Sequence, residues 1–147
     1  MRIKPVPLLF AAAGGALMAV QGVLNSLLGK IIGLPRTTFL VHLLGTAAAS
    51  LLLLIPWGTS GSFVQLRQAP WYALLGGPIG VGIVFFVTAS IGKVGAGLAT
   101  TSIIIAQLLT AYSIDYFGLF GVTQLPFTFL KALGIALIAA GGWLLLR

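Results

Sequence analysis

Apolar positions gather into five runs along this chain: Val6–Leu28, Thr37–Trp57, Trp71–Ile91, Val94–Phe117 and Phe127–Leu146. Short stretches separate them, and most of the charged residues lie in these stretches or at the chain ends. Each run is close to the roughly 20 residues that carry a helix across a hydrocarbon layer of about 30 Å. The pattern predicts an all-α, polytopic integral membrane protein. It is expected to be one transmembrane domain over 1–147, with five helices at about 6–28, 37–57, 71–91, 94–117 and 127–146. The expected location is the inner (plasma) membrane, crossed several times.

Polar and small residues inside the runs fall on stripes. In the first run Gly14, Met18, Gln21, Asn25 and Gly29 keep the i+3/i+4 spacing of one helical face. The second gives His42, Gly45, Thr46 and Ala49, and the third Gly77, Val81, Val84 and Thr88. The fourth gives Thr100, Ile104, Gln107, Ala111 and Asp115. Polar side chains in a bilayer turn towards protein or a water-filled cavity, so four such faces could line a shared cavity. At about 1.5 Å of rise per residue, Gln21 and Gln107 lie near mid-membrane. Interhelical hydrogen bonding by the amides is the plain structural alternative, and both roles can coexist.

Small residues recur as well. Gly76 and Gly80 form a G-x-x-x-G pair around Pro78, and Ala132, Ala136 and Ala140 repeat every fourth residue near Gly134 and Gly141. Close intramolecular packing explains both. A dimer seam on the fifth helix and a moving kink at Pro78 are the functional alternatives. Aromatics near the helix ends, among them Trp57, Trp71, Tyr72, Tyr116, Phe117, Phe120 and Phe127, match an interfacial belt.

Composition supports the membrane class: 59% of residues are hydrophobic and 6% charged, too few to clothe a water-soluble surface. The distribution of cations changes the picture further. With five spans and the N-terminus on side A, Arg2, Lys4, Arg67 and Lys131 fall on side A. Lys30, Arg36, Lys93 and Arg147 fall on side B, so the count is four against four. Orientation normally follows an excess of Lys and Arg in cytoplasmic loops, and no excess exists here. One fixed orientation set by other features and a dual topology with antiparallel pairing both remain open on charge alone. An odd span count would let two opposed copies form an inverted repeat of the kind many carriers use. No internal repeat is visible within the chain.

The net charge of +7 does not point to nucleic acid, because the cations are scattered with no basic run or basic amphipathic helix. The absence of cysteine excludes a disulfide framework and thiolate metal sites. A cleavable signal peptide is not expected, since the first run far exceeds an h-region of about 7–15 residues. His42 is the only histidine and Asp115 the only acid, so no metal or other cofactor is expected. The Gly92–Gly97 stretch lacks the Lys-Ser/Thr ending of a phosphate loop and reads as a hairpin turn. The Ser60 region does not match G-x-S-x-G, and no enzyme activity is expected. Asp115 sits near a helix C-terminus, where a carboxylate opposes the helix dipole. It is either paired with Lys131 or a gating or coupling residue.

Three motifs carry a resemblance. They are Ala19-x-Gln21-Gly22-x-x-Asn25-x-x-Leu28-Gly29, Ala106-Gln107-Leu108-Leu109, and Asp115-x-Phe117-Gly118-Leu119-Phe120-Gly121. Together with length and span count they resemble the YdcZ-like family of the drug/metabolite transporter superfamily. That resemblance implies half of a ten-helix inverted-repeat fold, an antiparallel dual-topology homodimer and secondary export of a small molecule. The related small multidrug resistance proteins use a glutamate in the first helix, where this chain has Gln21 and Asn25. The expected substrate is therefore neutral or anionic, met by Gln21, Asn25 and Gln107 with His42, Thr88 and Thr100 as further contacts. A non-transporting accessory subunit is the alternative from another functional class.

Overall fold

The computed structural model describes residues 5–55 and 62–145. Arg2, Lys4, Trp57, the Ser60 region, Leu146 and Arg147 lie outside the described residues. The described residues form five α-helices in order: α1 Pro5–Ile32, α2 Leu34–Leu52, α3 Gly76–Val94, α4 Ala96–Phe117 and α5 Phe129–Leu145. Short 3₁₀ segments cover Phe63–Gln68, Trp71–Leu75 and Leu119–Gly121, and the described residues contain no strand.

Glycines at positive φ set the breaks. Gly33 (φ 83) separates α1 from α2, and Gly95 (φ 86) separates α3 from α4. A Cβ at either would be strained, so these are natural stops. Pro35 lies at the start of α2, where its missing N–H breaks no helical bond. Pro78 likewise falls in the first turn of α3, just after the 3₁₀ segment Trp71–Leu75 changes to α-helix at Gly76. No breaker precedes Gly33, and α1 accordingly runs past Leu28. Thr128 caps α5 by accepting from the Lys131 amide at 3.4 Å, so the helix starts at Phe129 and leaves Phe127 outside it.

The C-terminus of α4 is closed by its own loop. Gly118 takes the left-handed conformation (φ 61) and its N–H bonds the Ile114 carbonyl. Leu125 N–H reaches Asp115 O at 2.9 Å, and Gln124 Nε2 donates to Tyr116 O at 2.8 Å. Three carbonyls that the helix cannot satisfy thus find donors.

Among the described residues three helical stretches are long and apolar enough to cross a membrane: Pro5–Ile32, Trp71–Val94 and Ala96–Phe117. The helix Phe129–Leu145 is apolar but shorter, at 17 residues, and α2 has 19 residues including Arg36 and His42. Burial runs opposite to that of a water-soluble core. Among the described residues the buried hydrophobics are Ile91 and Ala99, whereas Asn25, Ser26, Thr37, Thr38 and Thr88 are buried polar residues. Large side chains such as Phe10, Leu17, Leu44 and Phe86 point outwards. Lipid is as apolar as leucine, so helices meet through small and polar groups and leave Leu and Phe outside.

The chain divides into two compact units, Met1–Lys93 and Val94–Arg147. The first holds α1, α2 and α3, and the second holds α4 and α5.

Candidate functional site

In the first unit one residue of the α1 stripe and one of the α3 stripe border a groove with the α2 stripe. Gln21 of α1, Val84 of α3, and Val41, His42, Gly45, Thr46 and Ala49 of α2 line one groove of about 310 Å³. Gln21 also belongs to a second groove of about 460 Å³, along α1 with Gly14, Met18 and Asn25. Gln21 is exposed in the single chain. A primary amide facing hydrocarbon would leave two donors and an acceptor without partners, which is costly. Its place is therefore against a ligand, water or protein.

The state of His42 follows from its partner. Its Nδ1 lies 2.8 Å from the Thr38 carbonyl, which can only accept, so Nδ1 carries the proton. Nε2 faces the α3 backbone, where a Cβ on Gly80 would lie 3.9 Å away. The groove thus combines an amide with an imidazole, over a floor of Gly45, Ala49 and Val84. No carboxylate lines it.

Nearer Gly33, the same three helices pack tightly. Cβ atoms built on α1 glycines would meet Ile91 Cδ1 at 2.5 Å from Gly22 and Thr88 Cγ2 at 3.2 Å from Gly29. Gly92 of α3 returns the relation, with Ser26 Oγ 3.4 Å from its would-be Cβ. Several other helical hydroxyls bond a carbonyl one turn back, as Thr38 does to Leu34 O at 2.9 Å and Ser50 to Thr46 O at 2.9 Å. Thr37 and Thr88 do not. Their hydroxyls are buried and have no partner among the described residues.

Residues 6–144 match the model of a family described as "Putative inner membrane exporter, YdcZ". The chain belongs to the YdcZ family. Neither a curated protein nor a solved structure matches it. As a YdcZ family member it is a multi-pass inner membrane protein and, at that level of description, a transporter that meets a small-molecule substrate within a lipid bilayer.

The other expected site residues of this YdcZ family chain fall elsewhere. Thr88 is 1% exposed at the packed junction, outside the Gln21–His42 groove. Asn25, 7% exposed, lines the α1 groove with Gln21 but not the groove with His42. Thr100 and Gln107 stand on α4 in the second unit, the first half-buried and the second exposed. Asp115 is half-buried there and forms no ion pair among the described residues. Lys131 instead donates to Pro126 O at 2.8 Å and lies 5.8 Å from the Tyr112 ring centroid.

Two features of the structure went unseen in the sequence. Ser26, Thr37 and Thr38 are buried polar residues, and only the three-residue spacing of Ser26 from Gly29 hinted at this. The second unit also holds an aromatic cavity of about 370 Å³, lined in part by Tyr112, Tyr116, Phe117 and Phe127. The i, i+4 pair Tyr112 and Tyr116 was its available signal.

Proposed function

We propose that this chain exports a small neutral or anionic solute by alternating access, as an antiparallel homodimer of chains inserted in both orientations. In this reading all five helices span the membrane, and each chain supplies one half of an inverted-repeat carrier. The observation that carries it is the groove shared by Gln21 and His42: hydrogen-bonding, free of acids, and placed on helices whose other faces are Leu, Ile and Phe. Asn25 extends the polar lining along α1. Gln107 and Thr100 are further contacts, Thr88 joins them only if the packed junction opens during transport, and Asp115 is the gating or coupling group. The even split of Lys and Arg supports opposed insertion, as does the exposure of Gln21 in the single chain.

The test is counterflow in proteoliposomes containing only the purified chain, run with a panel of labelled neutral and anionic metabolites. Trans-stimulated uptake in the wild type, lost in Gln21→Leu while the variant keeps its melting temperature, is the expected result. A wild type that moves nothing would put the accessory-subunit reading in front. Flux without counterflow would mean a channel. A Gln21→Leu variant that transports normally would remove the groove from the reaction, and Gln107→Leu tests the second unit separately.

A further inference from the structure

In the second unit Tyr112, Tyr116, Phe117 and Phe127 build one wall. Phe127 packs edge-on against Tyr112 and Tyr116, with centroids 6.4 Å and 6.3 Å away, and Tyr116 lies 5.0 Å from Phe117 in the same edge-on manner. These rings border the cavity of about 370 Å³. It lies where α4 ends at Phe117 and α5 begins at Phe129, which is helix-end territory where aromatic rings meet headgroups. Phe117 and Phe127 remain 66% and 46% exposed, so the wall opens outwards.

One charge stands beside this wall. Lys131 Nζ is 5.8 Å from the Tyr112 centroid and spends one of its three donors on Pro126 O. Asp115 does not neutralise it, for no ion pair joins them. Asp115 also falls off the Leu109–Tyr112–Ser113–Tyr116 face of α4 that lines the cavity. Ser113 bonds Leu109 O at 2.8 Å, so its proton is already committed. The cavity itself is apolar and ring-lined and holds no anion to receive a choline or ethanolamine group. Lys131, outside that lining but over the Tyr112 ring and one turn before the lining residue Ile135, sets a cation at its margin.

We propose that this cavity binds an anionic phospholipid, its phosphate on Lys131 and the upper part of an acyl chain against Tyr112, Tyr116 and Phe127. The bilayer supplies the occupant at this depth, and the charge selects its headgroup. The site is separate from the Gln21–His42 groove and does not depend on what the chain exports.

Native mass spectrometry of the full chain, purified with equimolar phosphatidylglycerol and phosphatidylcholine, tests this. The wild type should retain phosphatidylglycerol about five-fold over phosphatidylcholine, the preference expected of one well-placed lysine. Lys131→Gln should bring the ratio near parity, Lys131→Arg should keep it, and Arg67→Gln, outside the cavity, should leave it unchanged. Parity in the wild type would overturn the proposal, as would equal effects of Lys131→Gln and Arg67→Gln. Should Lys131→Gln fail to fold, Phe127→Leu removes part of the wall and keeps the charge; undiminished lipid retention there would overturn it too. So would a lipid signal displaced by benzoate at millimolar concentration, which would mark a site for soluble aromatic anions.

Discussion

Ile105 of α4 occupies the space that a side chain on Gly142 of α5 would need: a Cβ there would lie 2.7 Å from Ile105 Cδ1 and 3.1 Å from Thr101 Cγ2. Ile105 can turn its terminal methyl aside. Thr101 is less free, because it is branched at Cβ and its hydroxyl is tied to Gly97 O at 3.0 Å. Gly141, one residue earlier, meets nothing within 4 Å. Gly142→Ala should therefore destabilise the α4–α5 pair by about 1–2 kcal/mol, the overpacking cost offset in part by better helix propensity. Gly141→Ala should be neutral or slightly stabilising. Thermal melts of both variants in detergent give the comparison, and equal melting temperatures would contradict the packing.

Thr37 and Thr88 hold buried hydroxyls that no described residue satisfies. Replacing such a group by an isosteric apolar one removes a desolvation cost of about 1–3 kcal/mol while keeping the volume. Thr88→Val and Thr37→Val should each be neutral or up to about 1 kcal/mol stabilising. Thr38→Val, which breaks the bond to Leu34 O, should bring no such gain. Clear destabilisation by the first two substitutions would mean that each hydroxyl has a bound partner, such as an internal water.

Gly118 ends α4 with φ 61, and a Cβ there would sit 3.4 Å from both Gln124 Cβ and the Val122 carbonyl. Gly118→Ala should cost about 1–2 kcal/mol through the left-handed backbone alone. Gln124→Ala, which frees the Tyr116 carbonyl, should cost about 1 kcal/mol. If neither change moves the melting temperature, the Asp-x-Phe-Gly-Leu-Phe-Gly element does not close the helix.

The helical faces were legible from residue spacing because a helix fixes them locally. His42, Gly45, Thr46 and Ala49 share one face of α2 whatever lies opposite, and they line a groove together. The membrane class was legible for the same local reason, since length and hydropathy of single segments decide it. What spacing could not supply was the partner of each face. Thr88 shares the stripe of Val84, yet Val84 borders the groove while Thr88 packs against Gly29. The meeting of Tyr112 with Phe127 depends on how residues 118–128 turn back, through Gly118, Gly121 and Phe120 at positive φ. Helix ends shifted where caps decide them, at Gly33, Gly95 and Thr128.

His42 tests the groove chemically. In the neutral ring, with Nδ1–H held by Thr38 O, Nε2 is left as an acceptor. His42→Leu removes that acceptor and should lower counterflow at least about ten-fold, the scale of one hydrogen bond to a bound solute. His42→Gln can keep both a donor and an acceptor and should retain most of the activity. Equal losses in the two variants, with folding intact, would assign His42 a packing role.

Insertion is the remaining question, and the absence of cysteine makes it accessible. Gln68 is exposed at the end of the 3₁₀ segment Phe63–Gln68, between α2 and α3. Gln68→Cys places a single thiol in that connection. If all five helices span, four Lys and Arg fall on each side and neither orientation is electrostatically preferred. About half of the thiols should then react with an impermeant maleimide in spheroplasts and the rest only after permeabilisation. Adding two lysines to one side should drive the labelled fraction towards zero or one. In an antiparallel dimer it should also cut transport, because opposed partners run out. Full or absent labelling in the unmodified background would mean a single orientation. It would remove the dual-topology homodimer while leaving the Gln21–His42 groove to be judged by counterflow.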